Sequence, residues 1–188
     1  MERTFLEIRH LDGNIDYDGS QLSPHWIYRN TGVMGDAAVA FVGACNVLDK
    51  NMVDLEDVLA HNEIRSSKML HFIVEIFGRD CMFGASLQSV FISEIQNELL
   101  KHGVKAVKSG DDLFVGEGKL SIAIATASPV SALMHMALNI STKGTPVKTS
   151  ALEDLKIDHV SFADAVLKRF NEEYSRIVLA SCKVVPRA

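Results

Sequence analysis

Between Gly110 and Ser141 the chain reads GDDLFVGEGKLSIAIATASPVSALMHMALNIS, and this stretch constrains the fold more than any other. Its apolar residues alternate with small or polar ones, the period of a strand with one buried face. Three consecutive antiparallel strands are predicted, over residues 113–115, 120–126 and 133–140. Gly116-Glu117-Gly118 supplies the first turn, since glycine readily takes the positive φ of a tight hairpin, and residues 127–132 supply the second. Alternation sets Leu120, Ile122 and Ile124 on one face of the middle strand, with Lys119, Ser121, Ala123 and Ala125 on the other. It likewise sets Met134, Met136, Leu138 and Ile140 against His135, Ala137 and Asn139. A register that joins apolar to apolar brings Ser121 near Asn139 and Ala123 near Ala137. One face is then core. The other is a row of small residues with Lys119 at its head, and small side chains leave room above a sheet. Two readings of Lys119 stay open: a cation guarding a hollow, or a solvated lysine after a turn, with the alanines packed under a helix.

The pattern Asp112-Leu-x-Val, a short turn, Lys119-Leu-Ser121-x-Ala123 and then His135-x-Ala-Leu-Asn139 resembles the C-terminal part of a known catalytic core. That core belongs to the biotin and lipoate protein ligases and the lipoyl/octanoyl transferases. The whole chain is similar to an archaeal and bacterial family of unknown function within that superfamily, the resemblance covering about residues 20–145. It implies an α+β fold: a mixed, largely antiparallel sheet covered by helices, similar to the catalytic core of class II aminoacyl-tRNA synthetases and biotin protein ligases. It also implies that Lys119 contacts an acyl carboxylate or an adenylate phosphate, a task suited to a lysine's point charge. Asp112, Ser121, Ala123, His135 and Asn139 are then its ligand-binding neighbours.

A second motif lies upstream, where Tyr28-Arg29-Asn30-Thr31-Gly32-Val33-Met34-Gly35-Asp36 leads into an apolar run ending near Val47. A guanidinium fork beside glycines can cradle an anion, although an arginine in a surface turn looks the same in sequence. The resembled ligases carry an arginine- and glycine-rich loop here, which makes Arg29, Asn30, Gly32, Gly35, Asp36 and Gly43 candidate ligand-binding residues. The relatives have paired arginines or consecutive glycines where this chain has only Arg29, Gly32 and Gly35, which weakens the case for ATP. The octanoyl transferases instead use a cysteine downstream of the lysine. Ser141-Thr142-Lys143-Gly144-Thr145-Pro146-Val147 contains none, so Cys45, from the opposite loop, is the substitute nucleophile to consider.

Elsewhere, strands are predicted over residues 4–8, 68–77 and 104–108, the last completing the sheet. Helices are predicted from Ser23-Pro24, over 53–60 with Asp54 as N-cap, over 87–101, and from Ser161 to about Ala180. His71 reads as a hydrogen-bonded core histidine, and Glu75 needs a partner or an edge position. With 188 residues and 47% hydrophobic content, one ligase-like domain is expected over 1–188, residues 150–188 forming a C-terminal helical extension. The last helix can also pack across a two-fold axis, giving a homodimer.

A net charge of −5 without a lysine/arginine cluster argues against nucleic acid as partner. No apolar run reaches membrane-spanning length, and the opening MERTFLEIRH lacks a signal-peptide core. The three widely spaced cysteines fit reduced thiols in a cytoplasm, and neither they nor the histidines have metal-ligand spacing. The expected activity is binding or activation of a carboxylic acid as adenylate, for transfer to an acceptor protein. ATP with Mg enters only with that ligase reading. The rival is a non-catalytic protein that holds an acyl or nucleotide ligand, or a partner, in the same pocket. A fragment of a class II aminoacyl-tRNA synthetase core is discounted, because no arginine-centred motif stands in the C-terminal part.

Overall fold

The computed structural model describes residues 4–187. In chain order its elements are β1 (Glu7–Asn14), α1 (Trp26–Thr31), β2 (Ala37–Asn46), α2 (Leu55–Ala60), β3 (Arg65–Phe77), α3 (Cys81–Lys101), β4 (Val107–Ser109), β5 (Asp112–Val115), β6 (Gly118–Lys119), β7 (Ser121–Ala127), β8 (Ser131–Asn139) and α4 (His159–Cys182). The main sheet runs β1-β2-β3-β8-β7, and β4-β5-β6 form a second, smaller sheet. Among the described residues only β1 and β2 pair in parallel within the main sheet, so it is mixed and largely antiparallel.

The central strand β3 explains the layering. Its even positions Leu70, Phe72, Val74 and Ile76 enter the core beneath α3 and α4, together with Phe91, Ile95, Phe162, Val166 and Phe170. Its odd positions Met69 and Ile73 enter a second core on the opposite face, with Tyr17, Ile27, Val39, Phe41 and Ala137. A strand covered on both faces reads as a continuous apolar run, which is why it stands out in the sequence.

Helix ends differ from expectation by local hydrogen bonding. Asp80 caps α3 by accepting from the Phe83 N–H, so the helix begins two turns before the expected Leu87. Gly84 in that first stretch is buried, and a Cβ there would lie 3.2 Å from the Ala132 Cβ. The contact is tight enough to favour glycine, and glycine interrupts the apolar helical period that starts at Leu87. Asp158, not Ser161, caps α4, accepting from the Ser161 N–H. Phe162, Val166, Phe170 and Tyr174, spaced at the helical period, form a buried apolar stripe along α4.

α1 starts at Trp26 rather than at Ser23-Pro24, because His25 before it takes a left-handed backbone (φ 62°). That turn aims the His25 N–H at both carboxylate oxygens of Glu75, at 2.9 and 3.0 Å. The Ser131 hydroxyl donates to the same carboxylate at 2.7 Å. Glu75 is 2% exposed, and these three bonds are what allow a carboxylate to sit there.

Asp36 ties the layers together, accepting from the Phe77 N–H and, on its other oxygen, from the Tyr174 hydroxyl. Tyr174→Phe should therefore cost about 1–2 kcal/mol, read as a fall of about 3–6 °C in melting temperature. An unchanged melting temperature would show that α4 is held by apolar packing alone.

The 104–108 strand and the register of β7 need correction. β4 begins at Val107 and pairs with β5, so it extends the small sheet and not the main one. Leu120 lies between β6 and β7 and is buried among the helix-side core, as is Leu138, the partner of Ser121. Leu120 and Ser121 thus turn toward the same side, and alternation breaks there. Every later β7 residue is displaced by one: Ala123 lies opposite Met136, and Ile122 and Ile124 lie opposite Ala137 and His135. Ala123 and Ala125 pack against the helix-side core. The expected floor of small residues therefore turns toward the helix-side core, with Ala123 still bordering the open side, where the isoleucines now face. No helix among the described residues is long and apolar enough to cross a membrane.

Candidate functional site

On the face of the sheet opposite α3 and α4 there is a cavity of about 430 Å³. Its floor is Met69 of β3, His135 and Asn139 of β8, and Ile122 and Ile124 of β7. Tyr17, Leu22 and Val47 wall one side, α2 contributes Asp57 with its cap Asp54, and Thr145 to Thr149 close another. Asp111, Asp112 and Lys119 enter from the small sheet.

The hairpin geometry creates the Lys119–Asp112 pair. Val115 pairs with Gly118 across a two-residue turn, with Gly116 at φ 58°, and Phe114 pairs with Lys119. Asp112 lies two residues from Phe114 and so shares its face, diagonal to Lys119. The ammonium stands 2.6 Å from Asp112 Oδ2, with side chains 29% and 23% exposed. Burial raises the Asp112 carboxyl above the usual carboxylate range, and the Lys119 charge offsets part of that rise.

The lysine's backbone is held from both sides. Its N–H donates to the Lys148 carbonyl, and its carbonyl accepts from the Ser150 N–H and from Asn139 Nδ2. Gly118 permits this, since a Cβ there would lie 2.3 Å from Ser150 Oγ. The result is a cation on a fixed stem at the wall of a cavity.

Away from the lysine end, the cavity meets a stack of neutral rings. Tyr17 stacks on His135 with centroids 3.8 Å apart, and His71 Nδ1 lies 3.0 Å from His135 Nε2. His71 Nε2 meets the Gly43 carbonyl at 3.3 Å. Burial depresses His71 to about 4 and holds His135 well below the usual histidine range. Burial also raises the Tyr17 phenol, so all three groups are uncharged at neutral pH.

Of the residues singled out in the sequence, the cavity gathers Lys119, Asp112, Ala123, His135 and Asn139. The others lie elsewhere. Arg29 is exposed, its guanidinium donating to the Pro24 carbonyl and the Ser23 hydroxyl. Asn30 donates to the Trp26 carbonyl within α1, Gly32 is that helix's left-handed C-cap, and Gly35 is an exposed turn residue at φ 95°. Asp36 is engaged by Phe77 and Tyr174 as described. Gly43 packs so closely on β1's continuation that a Cβ would fall 1.9 Å from the Ile15 carbonyl oxygen. Ser121 Oγ accepts from the Leu113 N–H in the core. Cys45 is buried and its thiol is pushed up to about 12, which keeps it protonated and non-nucleophilic.

Sequence reasoning missed Tyr17, Met69, Ser66 and the acidic lip of Asp54, Asp57 and Asp111. These come from separate loops and strands, and only the sheet order brings them together.

Residues 6–185 match the domain of unknown function DUF366. The chain belongs to the DUF366 family. A structure from Pyrococcus horikoshi, described as a protein of unknown function, shares 40% identity and superposes with a TM-score of 0.95, over 97% of this chain and 100% of that one. Lipoate-protein ligase A bound with ATP is 16% identical with a TM-score of 0.60, over 88% of this chain and 85% of the ligase. The biotin protein ligase of Aquifex aeolicus, in complex with biotin and ATP, is 14% identical with a TM-score of 0.58, over 88% of this chain and 69% of that one. At these identities the likeness is one of fold. The DUF366 chain has the α+β architecture of the biotin and lipoate protein ligases.

Proposed function

We propose that the cavity binds a small carboxylic acid, with Lys119 as the carboxylate's partner, and that the acid is activated there as an acyl-adenylate for an acceptor protein. The observation that carries the proposal is the Lys119 ammonium, fixed by its backbone at the wall of a cavity floored by Met69, Ile122 and Ile124. An entering carboxylate replaces Asp112 as the ion-pair partner. Asp112, whose carboxyl is raised above the usual carboxylate range by burial, is the partner it displaces. The acid's apolar body then covers the isoleucines and the methionine. In the adenylation step a carboxylate oxygen bonds to the α-phosphorus of ATP with magnesium, pyrophosphate leaves, and the Lys119 charge steadies the oxygens on which negative charge develops. The same fold in ligases bound with ATP supports this step.

Two observations favour a second reading, an acid-binding protein without turnover. Arg29 is turned away to Ser23 and Pro24, and the lip of the cavity carries Asp54, Asp57 and Asp111, which repel a triphosphate. Pyrophosphate release with ATP and biotin, lipoate or a medium-chain acid decides between the two. Release that depends on the acid supports the ligase. A rise in melting temperature with the acid but no pyrophosphate supports the binder. Neither response would end both.

A further inference from the structure

The buried histidine pair is more than a filler of the core, because its hydrogen bonds fix where its protons lie. A backbone carbonyl can only accept, so His71 Nε2 carries a proton and donates to Gly43. Both rings are buried and neutral, which leaves His71 Nδ1 a bare acceptor. His135 Nε2, 3.0 Å away, must then supply the proton of their shared bond. The remaining nitrogen, His135 Nδ1, is left as a lone pair. It has no partner among the described residues, and neither does the Tyr17 hydroxyl stacked above it. His135 and Tyr17 are 2% and 3% exposed and both line the cavity, so the cavity is where their unmatched groups find partners.

Asn139 marks the lysine end of the same strand, since its amide donates to the Lys119 carbonyl. His135 stands four residues along β8 on the same face, about 13 Å away. Between them the floor is Ile122, opposite Ala137, and Met69 lies across from Asn139. One end of the cavity therefore offers a cation, the middle is apolar, and the far end offers an uncharged acceptor beside an uncharged phenol.

We propose that His135 Nδ1 is a specificity-determining acceptor, selecting an acid that carries an uncharged O–H or N–H group (hydroxyl, carboxamide or ureide) far from its carboxylate. A plain alkyl acid leaves the acceptor unmatched, and a buried site that hydrogen-bonds its ligand discriminates strongly against an analogue lacking the group. His71 is a positioning residue in this scheme, acting through the tautomer it imposes. The inference rests on the acid-binding reading.

Calorimetric titration of the full chain with octanoate and with its ω-hydroxy and ω-carboxamide counterparts tests it. The polar-ended acids should bind about tenfold tighter or more. His135→Phe should erase the difference between the acids, whereas His135→Gln, which keeps an acceptor, should retain part of it. Equal affinities in the unsubstituted protein, or tighter binding of octanoate, would overturn the selectivity and leave the acid-binding reading standing. Absence of binding by all three would overturn both. Should His135→Phe fail to fold, the comparison in the unsubstituted protein still decides.

Discussion

Lys119→Ala should weaken acid binding by about 10- to 100-fold, the worth of a charge-assisted bond in a partly desolvated site. Any turnover should fall at least as far, because the same charge serves the developing negative charge during activation. Stability should change little. The substitution leaves Asp112 without its cation, but that carboxyl is partly exposed and keeps access to solvent. A cost of about 1 kcal/mol, or about 2–4 °C in melting temperature, is expected. The backbone bonds of residue 119 to Lys148, Ser150 and Asn139 do not involve the ammonium and should survive. Unaltered binding would remove Lys119 from the site, and collapse of the fold would make its role structural. Titration of acid into both proteins, with melting curves of each, separates these outcomes.

The second large effect is a loss of stability in mild acid. His71 titrates near 4 when folded and near 6.5 when unfolded, and His135 is displaced in the same direction, both through burial. Between those values the unfolded chain binds protons that the folded core refuses, so stability rises with pH there. The histidines' contribution is complete above about pH 6.5 and is lost as pH falls toward 4. For His71 the whole displacement is worth on the order of 3 kcal/mol, and by about pH 5 about 2 kcal/mol of that is gone. The urea midpoint should fall accordingly between about pH 7.5 and pH 5, above the range where most carboxylates titrate. A midpoint constant over that interval would mean that one ring protonates inside the fold, and the tautomer argument for His135 would fall with it.

What could be read from the sequence follows the range of the interactions involved. β3 was legible because a strand buried on both faces is apolar throughout, and the α4 stripe because its period is that of a helix. The Lys119–Asp112 pair was within reach too, since both residues belong to one tight hairpin. The face assignment of β7 failed at a single point. Leu120 and Ser121 turn to the same side, held by the Leu120 N–H donating to Leu113 and by the Ser121 hydroxyl. A strand's period of two carries one such break into every following residue, so the alanines exchanged places with Ile122 and Ile124. The cavity itself was out of reach. Tyr17, Met69 and the 145–149 segment approach Lys119 only through a sheet order in which β3 separates β2 from β8.

The Arg29 loop shows the limit of motif likeness. Its residues match a ligase pattern in type, yet Arg29 is consumed by its own turn and Asp36 by β3 and α4. Their side-chain bonds, rather than their identities, set what they can offer a ligand.

A crystal structure of the protein grown with a medium-chain carboxylic acid tests the central proposal most directly. The account predicts a carboxylate within hydrogen-bond distance of Lys119 Nζ, with the chain lying over Met69 and Ile122. An acid bound elsewhere, or Lys119 still paired to Asp112 above a cavity holding only water, would contradict it.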